Sequence, residues 1–209
     1  MGARTQPSRP GGPRPATGGA SAFILLVNAA KRAGVVPTSA LTQLVAPLAE
    51  VLALALVAGL YLAFGRRRGT FGLVAYLVNS AALAGLVGVE LVINLVFSEL
   101  PRGAVASLRA GPLGLALVVV SVAFLLGTMA FVASLLLSRE VPAVPLVLYA
   151  VGAVPVALRA SVPEIALDLG LVTMAVGIAA LSAWMYSRSA VLRTWDAPPA
   201  RIVPARATA

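Results

Sequence analysis

Between residues 44 and 186 the chain consists of five long apolar stretches with almost no charge inside them: residues 44–64, 71–97, 112–137, 142–158 and 163–186. A helix rises about 1.5 Å per residue, so about 20 apolar residues match a hydrocarbon core about 30 Å thick. In lipid every backbone N–H and C=O must find its partner inside the segment, and a helix does this by itself. The expected fold is therefore all-α: a polytopic transmembrane helix bundle with about five spanning helices and short loops. The fourth stretch is the shortest and carries Pro145 and Pro155, so a kinked or re-entrant segment is the alternative there.

The rest of the composition agrees. Of 209 residues, 60% are hydrophobic and only 11% charged, whereas a soluble domain is about one-quarter charged. A chain so poor in charge cannot cover its apolar surface with polar groups. The net charge of +9 would suggest nucleic acid if it formed a patch on a soluble fold. Here the basic residues sit singly or in short runs beside apolar stretches, which is how orientation signals are placed. Nucleic acid is accordingly not an expected partner.

Cysteine and histidine are both absent. That removes disulfides, thiol redox chemistry, Ser-His-Asp and Cys-His catalysis, and haem held by imidazole or thiolate. Zinc or copper would be left with carboxylates alone, which those metals disfavour. No cofactor and no metal site are expected. The run Gly65-Arg66-Arg67-Arg68-Gly69 lacks the ending of a phosphate loop and is explained by orientation.

Four regions follow from these patterns. Residues 1–20 are rich in Gly, Pro, Ser and Arg and read as a disordered basic tail. Residues 21–40 read as an interfacial helix and linker, because the apolar run before Lys31 and Arg32 is only about two turns long and too short to span. A signal peptide, with Arg4, Arg9 and Arg14 as its basic region, would need a longer apolar run than residues 23–27 supply. Residues 41–188 form the transmembrane bundle, and residues 189–209 a disordered C-terminal tail.

Arg66, Arg67, Arg68, Arg139, Arg188 and Arg193 fall on one side of five spans; Lys31, Arg32, Arg102, Arg109 and Arg159 fall on the other. The first side is expected to be cytoplasmic, with the C-terminus inside and the N-terminus outside. The margin is narrow, and counting the basic N-terminal tail would reverse it. Trp184 and Tyr186 sit where an aromatic belt belongs, and Pro163 followed by Glu164 marks the start of the fifth span.

Polar residues inside the spans are the candidates for function, since a carboxylate at a helix centre costs about 2.5–3.5 kcal/mol on insertion scales. Asn79, Glu90 and Asn94 lie eleven and four residues apart, which places them on one helical stripe. Turned inward, a protonated Glu90 would donate to Asn94, or to Ser121 or Thr128 of the third span. At the interface it would simply reach the headgroups. Glu50 lies one turn inside the first span and reads as a side chain reaching for water. Asp168 shares a face with Glu164, and Arg159 lies across the loop from both. The pair of carboxylates could hold a cation, although acids at a helix N-terminus are common for electrostatic reasons alone. Small residues recur at packing intervals: Ala81 and Gly85, Ala84 and Gly88, Gly114 with Ser121 and Thr128, and Ala116 with Ala123 and Ala130.

The residues Leu86 to Asn94, Leu126 to Phe131, and Ser138 to Pro142 leading into 146–152 resemble the uncharacterised bacterial multi-spanning proteins grouped as DUF4386. The resemblance covers under half of the chain and departs at Glu140 and Val141 and at the basic N-terminus. It implies a fold and a bacterial inner membrane, and it carries over no catalytic residue. The heavy use of Ala, Val, Leu, Gly and Arg with one Lys suggests a GC-rich genome. The function expected is that of a non-enzymatic integral membrane protein acting by helix packing, with the lipid bilayer and a second copy or another membrane protein as partners. The alternative is a small transporter or channel using Asn79, Glu90 and Asn94, with Asp168.

Overall fold

The computed structural model describes residues 16–37 and 39–195, with side chains placed from residue 19 to residue 188. Among the described residues the structure is helical with no strand: α1 (Ala16–Arg32), α2 (Ala40–Val45), α3 (Leu48–Ala63), α4 (Gly69–Leu91), α5 (Arg102–Ala110), α6 (Pro112–Ser138), α7 (Ala143–Ala157) and α8 (Glu164–Trp195). A 3-10 turn (Gly65–Arg68) precedes α4, and a π-helical turn (Val92–Phe97) extends it. Four segments are long and apolar enough to cross a membrane: Ala40–Ala63, Gly65–Phe97, Pro112–Ser138 and Glu164–Arg188. The fourth stretch forms the shorter apolar helix α7. The all-α bundle expected from the sequence is what is found.

α7 is one continuous helix. Pro145 lies in its first turn, where a missing N–H costs nothing, and Pro155 lies in its last turn, where little helix remains to be broken. Pro47 separates α2 from α3, so the first span bends there rather than running straight.

The helices pack as a closed ring. Each of α1, α3, α4, α6, α7 and α8 touches the next in that order, and α8 returns to α1. The helix expected along the first span in residues 21–40 is α1, which lies on α3 and packs on α8 as well. α1 starts at Ala16, so it takes in the last five residues of the segment expected to be disordered. Its Ser21, Ala22, Leu25 and Ala29 are buried, and Ser21 Oγ donates to the Ala49 carbonyl at 2.8 Å. The physical reason is closure: without α1 the inner faces of α3 and α8 would meet lipid at an open seam. At the other end of the chain, α8 continues to Trp195, past the expected boundary of the tail. The expectations for residues 1–15 and 196–209 lie outside the described residues.

Lipid tails are as apolar as leucine, so helix pairing here depends on close approach rather than on the hydrophobic effect. α7 and α8 approach closely. A Cβ on Gly152 would lie 2.5 Å from the Met174 backbone nitrogen, and one on Gly177 would lie 2.7 Å from that of Tyr149. Gly170 faces the ring of Pro155. Between α4 and α6, Gly127 lets the helices touch at the Asn79 backbone, 2.8 Å from the position a Cβ would take. Gly85 packs on Val120 of α6, but Gly88 faces open space, so only half of that expected seam is used.

One end of the ring carries Arg66, Arg67, Arg68 and Arg188. There Arg67 pairs with Glu140, and Arg188 donates to the Glu140 carbonyl at 3.0 Å while lying over the rings of Trp184 and Phe64. Tyr61 and Tyr76 stack nearby at 4.3 Å. This is the aromatic and basic girdle expected at a lipid–water boundary. The opposite end holds the functional candidates.

Candidate functional site: a charged cavity at one end of the ring

Eight polar side chains from four helices, one π turn and one loop gather at the end away from Arg66–Arg68. α1 brings Asn28, Lys31 and Arg32; α3 brings Glu50; α4 and its π turn bring Glu90 and Asn94. The loop after α7 brings Arg159 and α8 brings Asp168. All but Asp168 line a cavity of about 70 Å³, room for a few water molecules.

The hydrogen bonds run across the ring. Lys31 Nζ donates to Asn94 Oδ1 at 2.8 Å, and Asn94 Nδ2 donates to Glu90 Oε2 at 2.8 Å. Arg159 Nη1 donates to Glu90 Oε1 at 2.5 Å. A single chain of contacts thus joins α1, α4 and the α7–α8 loop. Arg32 Nε meets Asp168 Oδ1 at 3.2 Å beside it. The π turn matters here. It slackens the backbone after Glu90, where Asn94 Nδ2 also donates to the Glu90 carbonyl at 2.9 Å and Ser98 Oγ donates to that of Asn94. Single π turns are frequent at functional sites.

Glu50 differs from the other acids. Its Oε2 is inaccessible and has no hydrogen-bond partner, although it belongs to a span. It also lines a second, smaller cavity of about 20 Å³ that reaches inward to Tyr149. Tyr149 in turn lies beside Asn79 and Thr128, whose side chains are bonded at 3.0 Å and fully buried. Polar groups are therefore stepped from the cavity mouth to the middle of the ring. Beyond them, toward the Arg66–Arg68 end, Leu60, Phe131, Leu135, Leu146 and Leu181 close the interior.

The stripe expected from the sequence is divided by the structure. Glu90 and Asn94 join the cavity, whereas Asn79 belongs to the buried Thr128 pair about 16 Å farther along α4 at the helical rise. Glu90 is an acceptor, from Asn94 and Arg159, rather than the donor to Asn94, Ser121 or Thr128 that the sequence suggested. Asp168 pairs with Arg32, while Glu164 is exposed. Arg159 reaches neither of those acids and takes Glu90 instead. Among the described residues no group of three potential metal ligands occurs.

The sequence reading missed most of the basic half of this site. Lys31 and Arg32 read as orientation signals, since a charge beside an apolar stretch looks the same whether it meets headgroups or a carboxylate; Arg159 reads as a partner for Glu164 or Asp168 and meets Glu90 instead. Asn28 and Tyr149 carried no visible signal. One clue was present: Asn28 and Lys31 lie three residues apart, on one face of α1.

Fold and site together define a helical membrane protein with a charged, water-sized pocket set into one end of its bundle. No family model, curated protein or solved structure matches this chain.

Proposed function

We propose that the protein is a small proton-linked carrier, non-enzymatic, in which Glu50 takes up and releases a proton through the charged cavity. The observation that carries this reading is the unpartnered Glu50 oxygen in the wall of that cavity. The other acids there have cationic partners, Glu90 with Arg159 and Asp168 with Arg32. An unpaired carboxyl within a span is costly and needs a reason to be kept. A polar cavity toward one end, set against an apolar plug toward the other, is the arrangement expected of a carrier resting open to one side.

Proton movement into proteoliposomes under an imposed inside-negative potassium potential tests this, read with an internal pH dye. Wild-type vesicles should acidify several-fold faster than protein-free ones. Glu50→Gln should fall to the background rate, and Glu50→Asp should retain part of the flux. Equal rates for wild type and Glu50→Gln overturn the proposal.

The membrane is proposed to be a bacterial inner membrane, in keeping with the DUF4386 likeness, with the Arg66–Arg68 end and the C-terminus cytoplasmic. α1 revises the expectation for the N-terminus. Its C-terminal Arg32 is at the cavity end, so α1 is entered from the other end. Reporter fusions at the N-terminus and at residues 68, 105, 139 and 200 should place all but residue 105 inside. An N-terminal reporter on the outside would remove α1 from the ring.

A further inference from the structure

A second concavity, of about 500 Å³, lies between α4, α5, α6 and the α7–α8 loop at the cavity end. Its wall has two distinct parts. Arg32, Arg109 and Arg159 line it, and no carboxylate does. The remainder is largely apolar and follows α6 inward, through Leu117, Val118 and Val122. Val122 is ten residues beyond Pro112, or about 15 Å down the helix. Val118 and Val122 are 57% and 49% exposed, so the groove is open sideways to the bilayer.

Arg32 and Arg159 each have an acidic partner, whereas Arg109 lies over the face of Phe97, 5.3 Å away. α5, which carries Arg109, is a short amphipathic helix whose side chains are almost all exposed, as suits a segment lying at headgroup level. Guanidinium groups at the surface above an apolar trough that descends into the hydrocarbon match the two halves of an anionic amphiphile. Planar guanidinium groups are also the side chains best suited to phosphate.

We propose that this groove holds one anionic phospholipid drawn from the adjacent leaflet. Its phosphate sits among Arg109, Arg32 and Arg159, and one acyl chain lies along α6. A zwitterionic lipid brings its own ammonium against the three arginines and is disfavoured. A free phosphate ion lacks the chain that fills the trough. The site is independent of the role given to Glu50, which does not line it.

The test is native mass spectrometry of the full chain released from detergent. It is titrated with phosphatidylglycerol, with phosphatidylcholine of the same chain length, or with inorganic phosphate. One phosphatidylglycerol per chain should be retained in preference to phosphatidylcholine, and phosphate should neither bind nor displace it. Arg109→Ala should weaken retention about fivefold, as expected for one surface guanidinium, while Arg109→Lys keeps most of it. Val118→Trp, at an exposed position that does not disturb the core, should block the trough. Equal retention of both lipids, or no effect of either Arg109→Ala or Val118→Trp, overturns the proposal. Arg109-dependent binding of phosphate that competes with the lipid would show that the site takes an ion and not a lipid.

Discussion

The double substitution Gly152→Leu/Gly177→Leu should give the largest loss of stability of any pair of changes in the bundle. At both positions the partner helix presents backbone, Met174 N at 2.5 Å and Tyr149 N at 2.7 Å from the position of a new Cβ. Backbone cannot turn aside as a side-chain tip can, so α7 and α8 must separate along their whole contact. Overpacking costs about 1–3 kcal/mol per site, occasionally more. Two sites on one seam should together remove about 3–5 kcal/mol, even with imperfect additivity. Unfolding in a denaturing detergent titration, followed by circular dichroism, would show the midpoint shift. Gly88→Leu is the internal control, because nothing lies within 4 Å of its Cβ position, and it should leave the midpoint unchanged. A double variant that unfolds with the wild type would mean that α7 and α8 are not in contact.

Arg159→Ala should be the most damaging single change at the cavity. It strands Glu90, whose side chain is 17% exposed, and leaves Asn94 and Lys31 as its remaining neighbours in the contact chain. Removing one partner from a fully buried ion pair costs about 3–5 kcal/mol. Partial access to water at the cavity should reduce this to about 2–3 kcal/mol. Replacing both members, as Arg159→Leu with Glu90→Leu, removes the stranded charge as well as its partner. That pair should recover most of the loss, giving a large coupling energy in a double-mutant cycle. If the two single changes simply add, Arg159 and Glu90 do not interact, and the chain of contacts across the ring is broken at that point.

The spans were legible because lipid imposes a length and a composition that hardly anything else does. Residues 44–64 and 163–186 needed no information from outside themselves. α1 was not legible for the opposite reason. Its 17 residues carry Lys31 and Arg32 at one end and Gly18 and Gly19 near the other, so by itself it resembles a surface segment. Its burial depends on α3 and α8, which contribute the faces it covers. Glu90 and Asn94 were found because four residues on a helix fix their proximity. Which partner Glu90 takes could not be read, since Arg159 is 69 positions away and nearer in sequence to Glu164 and Asp168. The glycines that matter most, Gly152 and Gly177, lie on different helices. Gly177 does repeat Gly170 at seven residues in α8, but Gly152 has no small residue three, four or seven positions away in α7, so no spacing within one helix announces the pair.

The ring joins the first described helix to the last, and this bears on how the protein is made. Arg32 and Asp168 are 136 positions apart. At about 5–20 residues per second, synthesis leaves Arg32 waiting on the order of 7–27 s for its acid. Through that interval α1 and α3 are in the bilayer while Leu167 and Leu171, two walls of the cavity, do not yet exist. A nascent chain halted before residue 164 therefore presents Lys31, Arg32 and Glu50 along an unsealed seam, charges that a membrane protease or an insertase can detect. Arrival of the final helix gives Arg32 its acid and supplies the Leu167 and Leu171 walls together, so the pocket is completed and the seam closed in one event.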